Sequence, residues 1–111
     1  MRKKAKENLG EIPINLKEIV GYRKGSIVSK TINAKKSGTL TAFAFDAGQK
    51  LSEHKASYDA IVYVMDGEGE FFIRKKKFVL KAGEMFIMPA NVPHSVNASK
   101  KFKMLLMMIH S

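Results

Sequence analysis

The chain contains no cysteine. Disulfide scaffolds, zinc fingers, iron–sulfur sites and cysteine nucleophiles are therefore excluded. No apolar run approaches the roughly eighteen residues of a membrane span. The basic N-terminus is not followed by an apolar core of signal-peptide length. The expected setting is a reducing cytoplasm, with no membrane partner. Neither a G-x-S-x-G nucleophile elbow nor a P-loop occurs, and Gly67-Glu68-Gly69 reads as a hairpin turn. Arginine is scarce as well. Of twenty basic residues only Arg2, Arg23 and Arg74 carry the guanidinium fork that reads phosphates and guanines.

The rest of the basic charge is lysine, and against ten acids it leaves a net charge of +10. The clusters fall at Arg2–Lys6, Arg74–Lys77 and Lys100–Lys103. The first is a chain end, and the other two read as loop tips. None is interleaved with stacking aromatics. They read as a solvated surface, and no specific nucleic-acid partner is expected.

What is present is a β pattern. At 111 residues the chain is one domain's worth, and 45% hydrophobic content is too apolar for disorder. Residues 1–25 read as a polar arm. Within it INLKEIV has Asn15 as an N-cap and Glu18 three residues on, enough for a helix of at most two turns. From Ser26 the helical period disappears. SIVSKTI, TLTAFAF, AIVYVMD, GEGEFFI, KFVL, MFIM and KFKMLLMMIH follow, with turn signals between them. About eight strands at ten-residue spacing predict an all-β sandwich or barrel over 26–111. Ala60–Met65 and Leu105–Ile109 are apolar on both faces. Either each is covered twice within the domain or a second subunit covers the outside, and a homodimer is the expectation.

Two of the three histidines sit in a frame. Residues 48–67 read GQKLSEHKASYDAIVYVMDG and residues 83–98 read GEMFIMPANVPHSVNA. This resembles the cupin family, of the small single-domain, cupin-2 conserved-barrel type. Its motifs are G-x5-H-x-H-x(3,4)-E-x6-G and G-x5-P-x-G-x2-H-x3-N. Gly48, His54 and Gly67 match the first, and Gly83, Pro89 and His94 match the second. The resemblance implies a jelly-roll barrel, or double-stranded β-helix, with His54 and His94 at metal-ligand positions. The motif is degenerate. The family's second histidine falls on Ala56, its glutamate on Ala60, the second-motif glycine on Asn91 and the closing asparagine on Ala98. Asn91 can adopt the left-handed conformation that glycine would supply. Two methyl groups in place of ligands cannot donate to a metal.

Two imidazoles with waters would hold zinc, nickel, iron or manganese weakly, or no metal at all. Asp59, His110, Glu53 and Gln49 are the candidates for a third ligand. Asp59 precedes the missing glutamate by one residue, so in a strand it would face the other way. Without a metal, both histidines read as hydrogen-bonded pocket residues or as direct ligand contacts. If the family's register holds, Ala56, Ala60, Val62 and Val64 line a small apolar pocket beside them. The expected function is binding of a small molecule. The alternative is a metal-dependent isomerase, dioxygenase or lyase acting on a small carbonyl, sugar or phenolic substrate.

Overall fold

The computed structural model describes residues 9–110. The Arg2–Lys6 cluster and the first part of the polar arm lie outside the described residues. Eight antiparallel strands follow one 3-10 turn, Leu16–Glu18. They are β1 (Ile27–Lys35), β2 (Gly38–Phe45), β3 (Lys50–His54), β4 (Asp59–Ile73), β5 (Lys76–Lys81), β6 (Met85–Met88), β7 (His94–Asn97) and β8 (Phe102–Ile109). Sheet A runs β1-β2-β8-β4-β6 and sheet B runs β3-β7-β4-β5. The strand β4 belongs to both.

The turn expected at Gly67-Glu68-Gly69 is instead the bend of this one strand. Residues up to Gly67 pair with β8, and residues from Glu68 pair with β5. Two glycines make the bend. Gly67 has a φ of 73°, and a Cβ there would strike the Lys101 carbonyl. A Cβ at Gly69 would meet the Phe102 ring at 2.7 Å. The backbone turns from one sheet into the other against Phe102, where no side chain fits.

Alternation then assigns the faces. Ala60, Val62, Val64, Phe71, Val96, Phe102 and Met104 face inward and form one core with Phe45, Leu80, Met88 and Ala98. Phe102 is its centre. It stacks on Phe45 at 4.6 Å and meets Phe71 edge-on at 5.8 Å. Aromatic pairs at these separations add about 0.5–1.5 kcal/mol beyond their burial.

The arm is shorter in helix and closer to the barrel than its sequence suggests. Asn15 does cap, its side chain accepting from the Lys17 N–H at 3.1 Å, but only one turn forms. The segment then lies on the outer face of sheet A. Val20, 4% exposed, packs with Ala42, Ala44 and Met65, flanked by Leu16, Ile19, Tyr22 and Leu105. The Tyr22 hydroxyl donates to Asp66 Oδ2 at 2.7 Å. Burial first, and then the Asp66 carboxylate, push that hydroxyl's pKa well up. The Lys101 and Lys103 ammonium groups cover the Tyr22 ring at 5.3 and 5.0 Å. Part of the doubly apolar strand pair is thus covered from within the chain. No helix among the described residues is long and apolar enough to cross a membrane.

Candidate functional site

His54 ends β3 and His94 begins β7, and the two strands are paired. They would not face each other in a regular ladder. Leu51 packs against the core and is paired with Val96, so the core face of β3 would next carry Glu53. The register shifts between Leu51 and His54, and His54 thereby comes opposite His94. A β-bulge is the device that re-aims a side chain in this way. It also turns Glu53 outward, where it pairs with Lys75 at 3.4 Å.

The two imidazoles meet edge to face, with centroids 4.4 Å apart and Nε2 atoms 3.2 Å apart. His54 Nδ1 lies 3.0 Å from the Ser52 carbonyl, and His94 Nδ1 lies 3.1 Å from the Val92 carbonyl. A carbonyl oxygen only accepts, so each Nδ1 carries a proton and donates it. In the neutral rings both Nε2 atoms then present lone pairs, and these converge. His94 is 3% exposed while His54 is open to solvent. Burial, and then the neighbouring His54, hold the His94 pKa below its ordinary 6.5, against the pull of the Val92 carbonyl.

Two converging lone pairs call for a cation, a proton or a hydrogen-bond donor between them. Nitrogens about 2.1 Å from one metal at a tetrahedral angle stand about 3.4 Å apart, close to the separation seen. The pair therefore fits two positions of a metal shell. Nothing nearby completes it. Among the described residues, no three His, Asp or Glu side chains gather as a metal site. Asp59 lies one residue from inward-facing Ala60, and its Oδ1 accepts from the Ala90 N–H at 2.9 Å. His110 lies past the end of β8. Its Nδ1 donates to the Lys36 carbonyl at 2.9 Å, and its ring stacks on Tyr58 at 3.9 Å. Gln49 sits in the turn before β3, its carbonyl accepting from the Ala98 N–H. Any further donors must come from water or a ligand.

The small residues divide. Ala56 is half-buried just beyond β3, its carbonyl accepting from the Asn91 N–H at 2.7 Å. That contact ties the first motif to the second, and Asn91 is left-handed, with a φ of 63°. Ala60, Val62 and Val64 are fully buried in the phenylalanine core, where they serve packing. A depression of about 340 Å³ opens instead beside Glu53, Phe72, Lys75 and Ser95. Each of these except Lys75 stands next to a residue of the inner face, so the depression lies on the far side of sheet B. Ile73 and Lys76 are brought into line with His94 by strand pairing, and the sequence marks them only as the end of GEGEFFI and as one charge of the Arg74–Lys77 run.

A two-sheet antiparallel jelly roll with a histidine pair reached from two glycine-led motifs defines a class of barrel protein. The sequence profile described as "Cupin domain" matches residues 42–110, and the chain belongs to that family. Its structure is similar to a cupin 2 conserved barrel domain protein from Leptotrichia buccalis. The two are 44% identical with a TM-score of 0.84, over 86% of this chain and 47% of that one. The chain thus spans about half of that protein. A cupin superfamily protein from Desulfitobacterium hafniense matches over the whole of both chains, at 22% identity and a TM-score of 0.86. A conserved protein of unknown function from Streptococcus pyogenes matches over 99% of this chain and 91% of its own, at 26% identity and a TM-score of 0.85. No curated protein matches the chain.

Proposed function

We propose that this cupin binds a small molecule at the His54–His94 pair, directly or through a weakly held divalent transition metal. The observation that carries the reading is the 3.2 Å approach of two Nε2 atoms whose protons are committed elsewhere. The metal, whether zinc, nickel, iron or manganese, would supply a positive centre that polarises a bound oxygen. The chain's own contribution is orientation, since each ring is held by its Nδ1 contact. The enzyme alternative has less support, because catalytic sites usually offer three protein ligands. Calorimetric titration of metal-free protein with zinc and with manganese tests the reading. We expect one weak site, lost in His54→Ala. Unchanged stoichiometry and affinity in that variant would exclude the pair as the site.

We infer further that two copies of the chain associate through the outer face of sheet A. There Ile61 lies between Ile87 and Met107, and Tyr63 lies between Met85 and Leu105. Tyr63, Met85, Ile87, Met107 and Ile109 are each 38–54% exposed. At about 200 Å² per large side chain, that is roughly 450 Å² of apolar surface per copy. A two-fold contact uses the patch twice, about 900 Å² before any polar rim, near the lower limit for a specific interface. Sedimentation should show a dimer that Tyr63→Lys converts to a monomer. A parent monomeric at tens of micromolar would refute it.

A further inference from the structure

One cross-strand row crosses all four strands of sheet B. Lys76 is paired with Ile73, Ile73 with His94, and His94 with His54. Residues directly opposite on antiparallel strands share a face. Lys76 therefore stands on the same face as the two imidazoles, with Ile73 between them.

Its neighbours make the position distinctive. Lys75 pairs with Glu53, and Lys77 pairs with Glu70, both at 3.4 Å and both on the far face. Among the described residues Lys76 has no carboxylate partner. Its ammonium lies 5.4 Å from the centroid of the Phe78 ring, a residue packed against the core. The turn that delivers it is tight, with Arg74 and Lys75 both left-handed at φ values of 50° and 69°. Such two-residue turns prefer Asn-Gly. The Arg74 N–H is also tied to the Pro93 carbonyl at 3.0 Å, which holds the turn against the residue preceding His94.

The row reads as a recognition pattern. At one end two Nε2 lone pairs accept. At the other an ammonium donates and carries charge. The Lys76 and His94 backbones are two strand spacings apart, about 9.6 Å, with an aliphatic side chain between them. With side chains extending from both ends, a molecule that touches both need be only a few bonds long.

We propose that the ligand is a short hydroxycarboxylate, its hydroxyl donating to the His54–His94 pair and its carboxylate taken by Lys76. This rests on the reading of the histidine pair as the binding site. The hydrocarbon between the two groups lies on Ile73. A neutral analogue of the same shape keeps the histidine contact and loses the charge pairing with the lysine.

The test uses the full chain without metal, near physiological salt, with 3-hydroxybutyrate and 3-hydroxybutyramide as probes. Binding is followed through the histidine ring resonances. We expect the acid to bind at least about tenfold more tightly than the amide. Lys76→Gln should erase that preference by weakening the acid far more than the amide, while Lys75→Gln should change neither. His54→Ala should weaken both probes. Equal affinities in the parent, a preference that survives Lys76→Gln, or no binding of either probe would overturn the proposal. In the first two cases the histidine reading stands if His54→Ala still weakens both probes. It falls if that substitution leaves both affinities intact. Inorganic phosphate serves as a control. If it competes with the acid through Lys76 without moving the histidine resonances, the site is a simple anion contact and the hydroxycarboxylate assignment is wrong.

Discussion

Putting back the two missing ligands tests whether the barrel has kept its family's geometry. Ala56→His and Ala60→Glu would place four donors around one point if the mouth is unchanged. The cost falls mainly on position 60. Ala60 is 1% exposed and lies between Met88 and Met108 on the neighbouring strands. A carboxylate buried there without a partner should destabilise the fold by about 3 kcal/mol. At about 2.1 cal/mol/K per residue, 111 residues unfold with about 0.23 kcal/mol/K, so melting should fall by about 13 °C. A metal at a hundred times its dissociation constant restores about 2.7 kcal/mol, or about 12 °C. If the parent site binds a hundredfold more weakly, the same metal concentration adds only about 0.4 kcal/mol, about 2 °C. Thermal unfolding of both proteins, with and without zinc or manganese, reads the difference directly. A double variant that metal stabilises no more than the parent would show that the mouth has been remodelled. His54 and His94 would then no longer count as the remains of a four-ligand site.

The histidine pair also sets a pH dependence. Because the His94 pKa is lowered from 6.5, the unfolded chain takes up a proton that the native ring refuses. His94's contribution is therefore fully present above pH 6.5 and is lost as pH falls below it, by at most about 1.4 kcal/mol per pH unit. Urea titrations across that window should show the loss, and His94→Gln should flatten it. Tyr22→Phe removes the hydroxyl that donates to Asp66 and should cost about 1 kcal/mol. The denaturation midpoint should move while the slope stays constant. Nucleic-acid binding through the lysine surface should be non-specific and largely abolished at 200 mM salt by counterion effects. Sequence-selective retention at that salt would contradict the solvated-surface reading.

The strands and the motif histidines were legible because both depend on local spacing. Alternation marks the faces of β1, and the intervals from Gly48 and Gly83 locate His54 and His94. What remained hidden is non-local. No residue between Leu51 and His54 announces the bulge, which depends on how β3 registers against β7. Gly67-Glu68-Gly69 looks like a turn, yet the glycines are there because Lys101 and Phe102 occupy the space beside them. The arm reads as polar because its apolar residues are sparse, and the helical i, i+3, i+4 spacing of Leu16, Ile19 and Val20 spans little more than one turn. Their burial comes from a sheet face assembled from β2, β4 and β8. Lys76 looked like one charge in a run of four. Only strand pairing separates it from Lys75 and Lys77.

The bent strand has a consequence for how the molecule comes apart. β4 is hydrogen-bonded to β5, β6, β7 and β8, so half the strands share it as a common wall. The two ladders use different halves of it, Asp59–Gly67 and Glu68–Ile73, but both halves bury their inward side chains in one core, so neither sheet can open fully without unpacking the other. A domain divided into two independent sheets would unfold in stages, with one set of amides exchanging before the other. Here the amides of Val62 and Val64 in sheet A and of Phe71 in sheet B should exchange with solvent at one common rate, that of global unfolding. The edge strands β1 and β3 are free of that wall and should fray first. Since β3 carries His54, the exposed half of the histidine pair sits on the most easily released strand of its sheet.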